Sequence, residues 1–281
     1  MNEDVTIIIL THKSKKLVLD YIKNLYQKFK IIIIDNSNDL NLKSIITKSY
    51  PGIDIHLIPN NGYGNQINYG SKLITTEYFL ISNPDLTGID ELSIFNFVKA
   101  AKQLNNKFST LGPRFVNANP KSHKQSSNNG IITEMKFISG ACMFFNKNNF
   151  DNLNGFDENI FLYFEENDFC LRSFKINKNY QINNVLVEHD IGTSVEIKND
   201  LEKINQVNFR TWHFIWSKFY YFKKHYGFFF ALIYFVPIFI RINYRVILYK
   251  LKNDKINYDK YKARRSGLYA SILNQKSSKR I

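Results

Sequence analysis

Cysteine is scarce in this chain. Cys142 and Cys170 are the only two in 281 residues, and they show neither paired nor metal-ligand spacing. That excludes a disulfide framework and a cysteine-based metal site as organising devices, and it leads to the expectation of a reduced, cytosolic protein. The first residues, MNED, lack a basic start, and only six apolar or Thr residues follow, so no signal peptide is expected. No internal repeat is present. Acid is missing from the last quarter: residues 208–281 hold 16 Lys/Arg against only Asp254 and Asp259, whereas residues 1–207 hold 22 of each sign. The net charge of +14 therefore belongs to the C-terminal part, which is expected to meet an anionic surface. A long apolar run is also lacking. Phe228–Ile240 is 13 residues, contains Pro237 and is followed by Arg241, which falls short of the ~20 residues a spanning helix needs. An interfacial helix, with Tyr, Trp and Lys/Arg at headgroup level, is the expectation for this region. A core helix with a solvated basic tail is the other reading.

What is present begins with short β-branched runs. VTIIIL (Val5–Leu10) and IIIID (Ile31–Asp35) read as strands buried on both faces, with the helical spacing of Leu17–Phe29 between them. The cycle repeats with a strand at Ile53–Ile58, a helix near Gln66–Ile74 and a strand at Glu77–Ile81. This rhythm predicts βαβ units and a doubly wound sheet, in which ligands bind at the carboxyl ends of the strands. Four polar clusters occupy those ends: Thr11-His12, Asp35-Asn36-Ser37, Asn60-Asn61-Gly62 and Asn83-Pro84-Asp85. Further on, Pro113–Gly130 reads as a polar loop, Met135–Phe145 as one strand with a Gly kink, and Tyr180–Ser194 as a strand running into a polar loop.

The densest chemistry lies in GFDENIFLYFEENDFCLR (Gly155–Arg172). Glu165, Glu166 and Asp168 fall within four positions of an aromatic segment. Buried carboxylates without partners are costly, so the cluster needs a cation, a proton or a substrate hydroxyl. On a helix, at about 100° per residue, Glu165, Asp168 and Arg172 share a face and Glu166 projects elsewhere. Asp168 and Arg172 at i,i+4 form a natural ion pair.

Two other readings of these motifs fail. Gly62-Tyr-Gly64 is not a dinucleotide fingerprint, because Ile67 stands where the third glycine belongs and the motif follows the third strand. Thr11-His12-Lys13-Ser14 has no glycine, so the first strand lacks a loop for a triphosphate. A basic-tailed nucleic-acid or membrane-binding protein without transferase activity is the alternative function. No recognised nucleic-acid module supports it, and no nucleic-acid partner is expected.

Taken in order, DNS (Asp35–Ser37), NNGYGNQINYG (Asn60–Gly70), SNPDL (Ser82–Leu86), SGACMFF (Ser139–Phe145), the carboxylate segment and HDIGTS (His189–Ser194) resemble glycosyltransferase family 2, in its bacterial rhamnosyltransferase-like branch. The resemblance covers residues 5–195. It implies a GT-A type doubly wound mixed sheet flanked by helices, and the basic, aromatic composition beyond it leads to the expectation of a C-terminal helical, membrane-surface-associating extension. The expected domains, divided where the charge balance changes, are a catalytic domain over 1–207 and the extension over 208–281. Within the former, nucleotide-sugar binding falls at about 1–115 and the acceptor and catalytic part at about 131–207. The implied activity is inverting, metal-dependent transfer of a sugar, rhamnose by resemblance, from a dTDP- or UDP-linked nucleotide-diphosphate donor to a hydroxyl. The acceptor is a glycan or lipid-linked saccharide in bacterial surface glycan synthesis, at the inner face of the cell membrane.

The resemblance also assigns roles. Asp85 corresponds to the metal-binding acid, with Asn83 where many relatives have Asp, and His189 to a second ligand, for Mn²⁺ or Mg²⁺. Glu166 corresponds to the catalytic base, as Glu where Asp is usual, with Glu165 the alternative. Thr11, Asp35, Ser37, Asn61, Gly62, Asn68 and Asn83 are expected around the donor. Gly140 is expected to border the sugar, or else to form a strand bulge.

Overall fold

The computed structural model describes residues 2–116, 130–190 and 199–280. Its centre follows from the β-branched runs. β1 (Asn2–Thr11), β2 (Phe29–Asp35) and β4 (Tyr78–Ser82) are buried on both faces, with Ile7, Ile8, Ile9 and Ile31 to Ile34 removed from solvent. Each such side chain contributes about 1.5–3 kcal/mol on burial. Alternation along the strands divides the core in two. Ile7, Ile9, Ile31, Ile33 and Leu80 face α1 (Lys15–Ile22), α2 (Leu40–Ser49) and α4 (Glu91–Gln103). Ile8, Ile32, Phe79 and Ile81 face α3 (Tyr63–Ser71), α5 (Lys147–Asn152) and α6 (Glu165–Ser173).

The remaining strands are β3 (Asp54–Leu57), β5 (Leu86–Thr87), β6 (Thr110–Phe115), β7 (Ile132–Met135), β8 (Cys142–Asn146) and β9 (Asn179–His189). The sheet runs β3-β2-β1-β4-β8-β6-β9-β5, with β7 also pairing β9. β1 to β4 are mutually parallel, β8 is antiparallel to β4 and β6, and β9 is parallel to β6. The carboxyl ends of β1, β2, β3, β4, β6 and β9 and the start of β8 thus share one edge. This is the mixed α/β sheet with flanking helices that the motifs imply.

Local differences have physical causes. α1 stops at Ile22 rather than Phe29, and turns with Gln27 at φ 68° deliver the chain to β2. Met135–Phe145 is not one strand. β7 ends at Met135 and β8 starts at Cys142, because residues 139–142 form a turn closed by Cys142 N–H donating to the Ser139 carbonyl at 3.3 Å. Most of the loop expected at 113–130 and the end of HDIGTS lie outside the described residues.

The polypeptide divides into two compact units. The sheet with α1–α5 and α6 from Glu166 onward forms one. α7 (Asp200–Tyr226), α8 (Phe228–Leu251) and α9 (Lys255–Ile272), joined by residues 157–165, form the other. In the second unit Ser217 Oγ donates to the Leu162 carbonyl at 2.8 Å, and Tyr220 and Lys224 both donate to Asp157, at 2.9 and 2.7 Å. Burial alone would raise the Asp157 pKa, but the bonds from Lys224 and the Asn159 backbone hold it below its ordinary value. α8 differs from the sequence expectation. It continues through Pro237, Arg241 and Arg245 for 24 residues, and by length and composition it is long and apolar enough to cross a membrane.

Candidate functional site

At the β1–β2 end of the shared edge, Thr11 and Asp35 are paired in register and both are buried. The Asp35 carboxylate accepts from Ser37 N–H (3.2 Å), Ser37 Oγ–H (2.6 Å) and Asp39 N–H (2.9 Å), which fixes the DNS turn. Ser37 Oγ in turn accepts from Lys13 N–H at 3.1 Å, tying the two strand ends together. The Thr11 hydroxyl is buried and makes no hydrogen bond among the described residues. Such an orphan costs about 1–3 kcal/mol, and a ligand would satisfy it. Asn61 is exposed on the next strand end, and Gly62, at φ 111°, makes the turn into α3 that a side chain would strain.

Asp85 follows β4. Its carboxylate is buried, and neither oxygen makes a hydrogen bond among the described residues. Leu86 pairs with His189 across β5 and β9, and this register brings His189 Nε2 to 3.4 Å from Asp85 Oδ2. A buried carboxylate in this condition costs several kcal/mol unless a charge completes it. Oxygen and imidazole donors side by side fit a divalent cation of the Mg²⁺ or Mn²⁺ type. No group of three or more His, Cys, Asp or Glu side chains gathers as a metal site among the described residues, so other oxygens would have to complete the coordination. Asp85 also borders a cavity of about 240 Å³ shared with Tyr21, Pro84, Thr87 and Asp190.

A third group forms where β8 begins. Asn83 N–H donates to the Ala141 carbonyl at 3.0 Å. The Tyr63 hydroxyl lies between the Gly140 carbonyl (2.5 Å) and Asn83 Oδ1 (3.3 Å). Glu166 runs alongside: a Cβ placed on Gly140 would lie 3.6 to 3.8 Å from its Cβ, Cγ and Cδ. Asn167 Nδ2 donates to Glu166 Oε1 at 3.0 Å. Glu166 is half-buried, whereas Glu165 is buried and groups with the helical unit. Tyr163 and Phe164, at φ 67° and 71°, turn the chain into α6 through a conformation that bulky residues rarely adopt. Backbone of this kind persists only where surroundings impose it and is often found at functional positions.

Other residues hold the scaffold. Asp168 is fully buried and accepts from Arg172 Nε at 2.8 Å, the pair expected from their spacing. Arg172 also donates to the Leu153 and Gly155 carbonyls, at 2.7 and 2.6 Å. Asn68, expected near the donor, instead grips the Phe156 backbone, donating to its carbonyl and accepting from its N–H, both at 2.9 Å. Tyr63 and Tyr21 went unnoticed in the sequence. Tyr63 lies within NNGYG, where it could have been weighed. Tyr21, whose hydroxyl meets Ser82 Oγ at 2.5 Å, reads only as a helix position.

Set beside known proteins, residues 6–180 match the model of glycosyl transferase family 2. Agl10 of Haloferax volcanii, a low-salt glycan biosynthesis hexosyltransferase, is 26% identical over 208 residues. The match covers 64% of this chain and 64% of that protein, so the chain spans less than two-thirds of that relative. Rhamnosyltransferase WbbL of Escherichia coli K12 is 27% identical over 203 residues, 60% of this chain and 76% of that one, consistent with a rhamnosyltransferase-like branch. Mannosyltransferase PcManGT of Pyrobaculum calidifontis, solved with GDP-Man and Mn²⁺, superposes with a TM-score of 0.58 at 12% identity, over 97% of this chain and 88% of that one. S. aureus TarS 1-349, solved with UDP-GlcNAc, gives 0.52 at 12% identity, over 96% and 92%. At such identities these two likenesses concern the fold, which is of the GT-A kind. The family match extends over more than half of the residues, and the chain belongs to glycosyl transferase family 2.

Proposed function

We propose that the chain is an inverting, metal-dependent glycosyltransferase that moves a hexose or rhamnose from a dTDP- or UDP-linked donor to a hydroxyl of a lipid-linked or polysaccharide acceptor. The observation that carries this reading is Asp85: a buried carboxylate with no hydrogen bond among the described residues, beside His189 at 3.4 Å, on the edge where six strands end. Asp85 and His189 would hold Mn²⁺ or Mg²⁺, which when bound neutralises charge on the diphosphate.

The chain's own residues supply the rest. Thr11, Ser37 and Asn61 offer hydrogen bonds to the nucleoside, and Asp35 keeps the turn that presents Ser37. The cavity beside Asp85 is about 240 Å³, below the ~300–1,000 Å³ of common ligand pockets, so the donor would extend along the strand ends rather than sit wholly within it. Glu166 takes the acceptor hydroxyl proton as that oxygen attacks the anomeric carbon, opposite the departing nucleoside diphosphate. The new C–O bond forms as the bond to the diphosphate breaks, and the proton remains on the carboxylate. Glu166 is favoured over Glu165 because it runs beside Gly140 while Glu165 is buried. Residues 1–115 would bind the nucleotide sugar and residues 131–207 the acceptor, with the basic C-terminal helices at the cytosolic face of an anionic membrane. The two relatives, a hexosyl- and a rhamnosyltransferase, support the sugar class.

Calorimetry of dTDP and UDP binding, with Mn²⁺ and with chelator, tests this directly. Metal-dependent binding of either is expected, and it should vanish in Asp85→Asn. Glu166→Gln should keep that binding and lose transfer by about 10²–10⁴-fold. Binding indifferent to metal would remove Asp85 and His189 from the site, and normal turnover of Glu166→Gln would move the base to Glu165.

A further inference from the structure

α8 is apolar on opposite sides, and only one side is covered within the helical unit. Ala231, Phe235, Ile242 and Val246 are buried, three of them in the core formed with Ile215 and Phe219 of α7 and Leu268 of α9. On the opposite side Phe229, Ile233, Val236, Ile240, Ile247 and Leu251 recur at intervals of three, four and seven, which places them on one stripe. All are exposed, with Ile233 at 73% and Leu251 at 78%. The stripe extends along a helix of 24 residues, about 36 Å at 1.5 Å per residue. A contiguous apolar face of this length is a surface for a partner.

Charge identifies the partner. Arg241, Lys250 and Lys252 are exposed along the flanks, and α9 adds Lys255, Lys260, Lys262, Arg264 and Arg265. The two acids of residues 208–281 are Asp254 and Asp259, and the former caps α9 through Asn257 N–H. An anionic lipid surface complements both features, since apolar side chains enter the acyl boundary while Lys and Arg meet headgroup phosphates. A second copy fits less well. A self-complementary contact would set like charges against each other at each flank. Spanning the bilayer is excluded on similar grounds: α8 packs on α9, and hydrocarbon would have to surround five basic residues of that helix.

We propose that the outward stripe of α8 is an in-plane membrane-insertion surface for an anionic bilayer. This deepens the membrane side of the function proposed above and rests on that reading. The stripe enters the interface with the helix axis parallel to the membrane, and the basic flanks select phosphatidylglycerol-type lipid.

Vesicle flotation of the full chain is the test, with phosphatidylcholine vesicles and with vesicles that also contain phosphatidylglycerol. The chain should float with the anionic vesicles and be released by alkaline carbonate. Ile233→Asn/Ile240→Asn should lower the vesicle partition about tenfold or more while melting temperature and nucleotide binding stay unchanged. Should that variant fail to fold, Arg241→Gln/Lys252→Gln alters exposed side chains only, and it should lose the preference for anionic vesicles. Equal flotation of wild type and both variants, resistance to carbonate, or dimerisation through this face in ultracentrifugation would each overturn the proposal. Nucleotide binding without flotation would also overturn the surface and leave the transferase reading intact. Flotation without nucleotide binding would do the reverse.

Discussion

Arg172 shows how much one side chain can carry. Its guanidinium neutralises Asp168, which is fully buried, and closes two carbonyls of the turn at Leu153 and Gly155. Arg172→Met should destabilise the protein by about 3–5 kcal/mol, because the buried carboxylate would lose its ion-pair partner. Asp168→Asn/Arg172→Met should recover part of that loss in urea unfolding, since no charge is then stranded. His213 carries a different kind of load. Its Nδ1 meets Ser277 Oγ and its Nε2 the Lys279 carbonyl, both at 2.9 Å, and its ring stacks on Phe161. Burial first, then the charges of Arg280 and Lys279, hold its pKa down to about 4, against a pull upward from the Lys279 carbonyl. The unfolded chain, near pH 6.5, then binds the proton more readily. Stability is complete above pH 6.5 and declines as pH falls toward 4, by up to about 3 kcal/mol. Melting temperature against pH should fall over that window, and the slope should flatten in His213→Gln.

At the scale of elements, the turn before residues 157–165 depends on α3. Gly155 has φ 59°, and a Cβ there would lie 2.4 Å from Asn68 Oδ1. Gly155→Ala should therefore cost about 2–4 kcal/mol, from left-handed strain and from displacing an amide that makes two buried bonds. Asn68→Ala should cost a similar amount. The double variant should lose less than the two losses added, because both break the same clamp, and denaturant unfolding of the four proteins measures the difference. The same elements show what a sequence reveals. β1, β2 and β4 were legible because uninterrupted β-branched runs leave few alternatives, and strand-end polarity pointed to the edge that gathers Thr11, Asp35, Asp85 and His189. Asp168 with Arg172 was legible from spacing. The grip of Asn68 on Phe156 was not, since it joins residues 88 apart and leaves no periodic trace. Nor was the break between β7 and β8, where bonds from Tyr63 and Asn83 meet the turn at Gly140 and Ala141. The full apolar length of α8 was not legible, because Arg241 and Arg245 read as an end to the apolar run, although a helix can carry them on its flank.

At the scale of the whole molecule, the C-terminal helices frame the segment at residues 157–165. Residues 157–165 end at Glu165, and the rest of the helical unit holds them: Ser217 on Leu162, Tyr220 and Lys224 on Asp157, and the rings of Phe161 and Phe164 on His213 and Phe214. α7 depends in turn on α9 and the residues after it. Trp216 Nε1 donates to the Gln275 carbonyl at 3.0 Å, and Gly267 lies so close to α7 that a Cβ there would come within 2.5 Å of the Trp212 carbonyl. Deleting residues 228–281 should therefore remove vesicle binding and also loosen residues 157–165 within the helical unit. Metal-dependent nucleotide binding should change little, because Thr11, Asp35, Asp85 and His189 all lie at strand ends of the sheet unit. Transfer to a soluble acceptor should fall about a hundredfold, the scale of loss caused by a misplacement of about 1 Å at a reacting group. Retained transfer in that deletion would reduce the helical unit to an anchor. Loss of transfer with nucleotide binding intact would mean that the helical unit is needed for turnover as well as for membrane attachment.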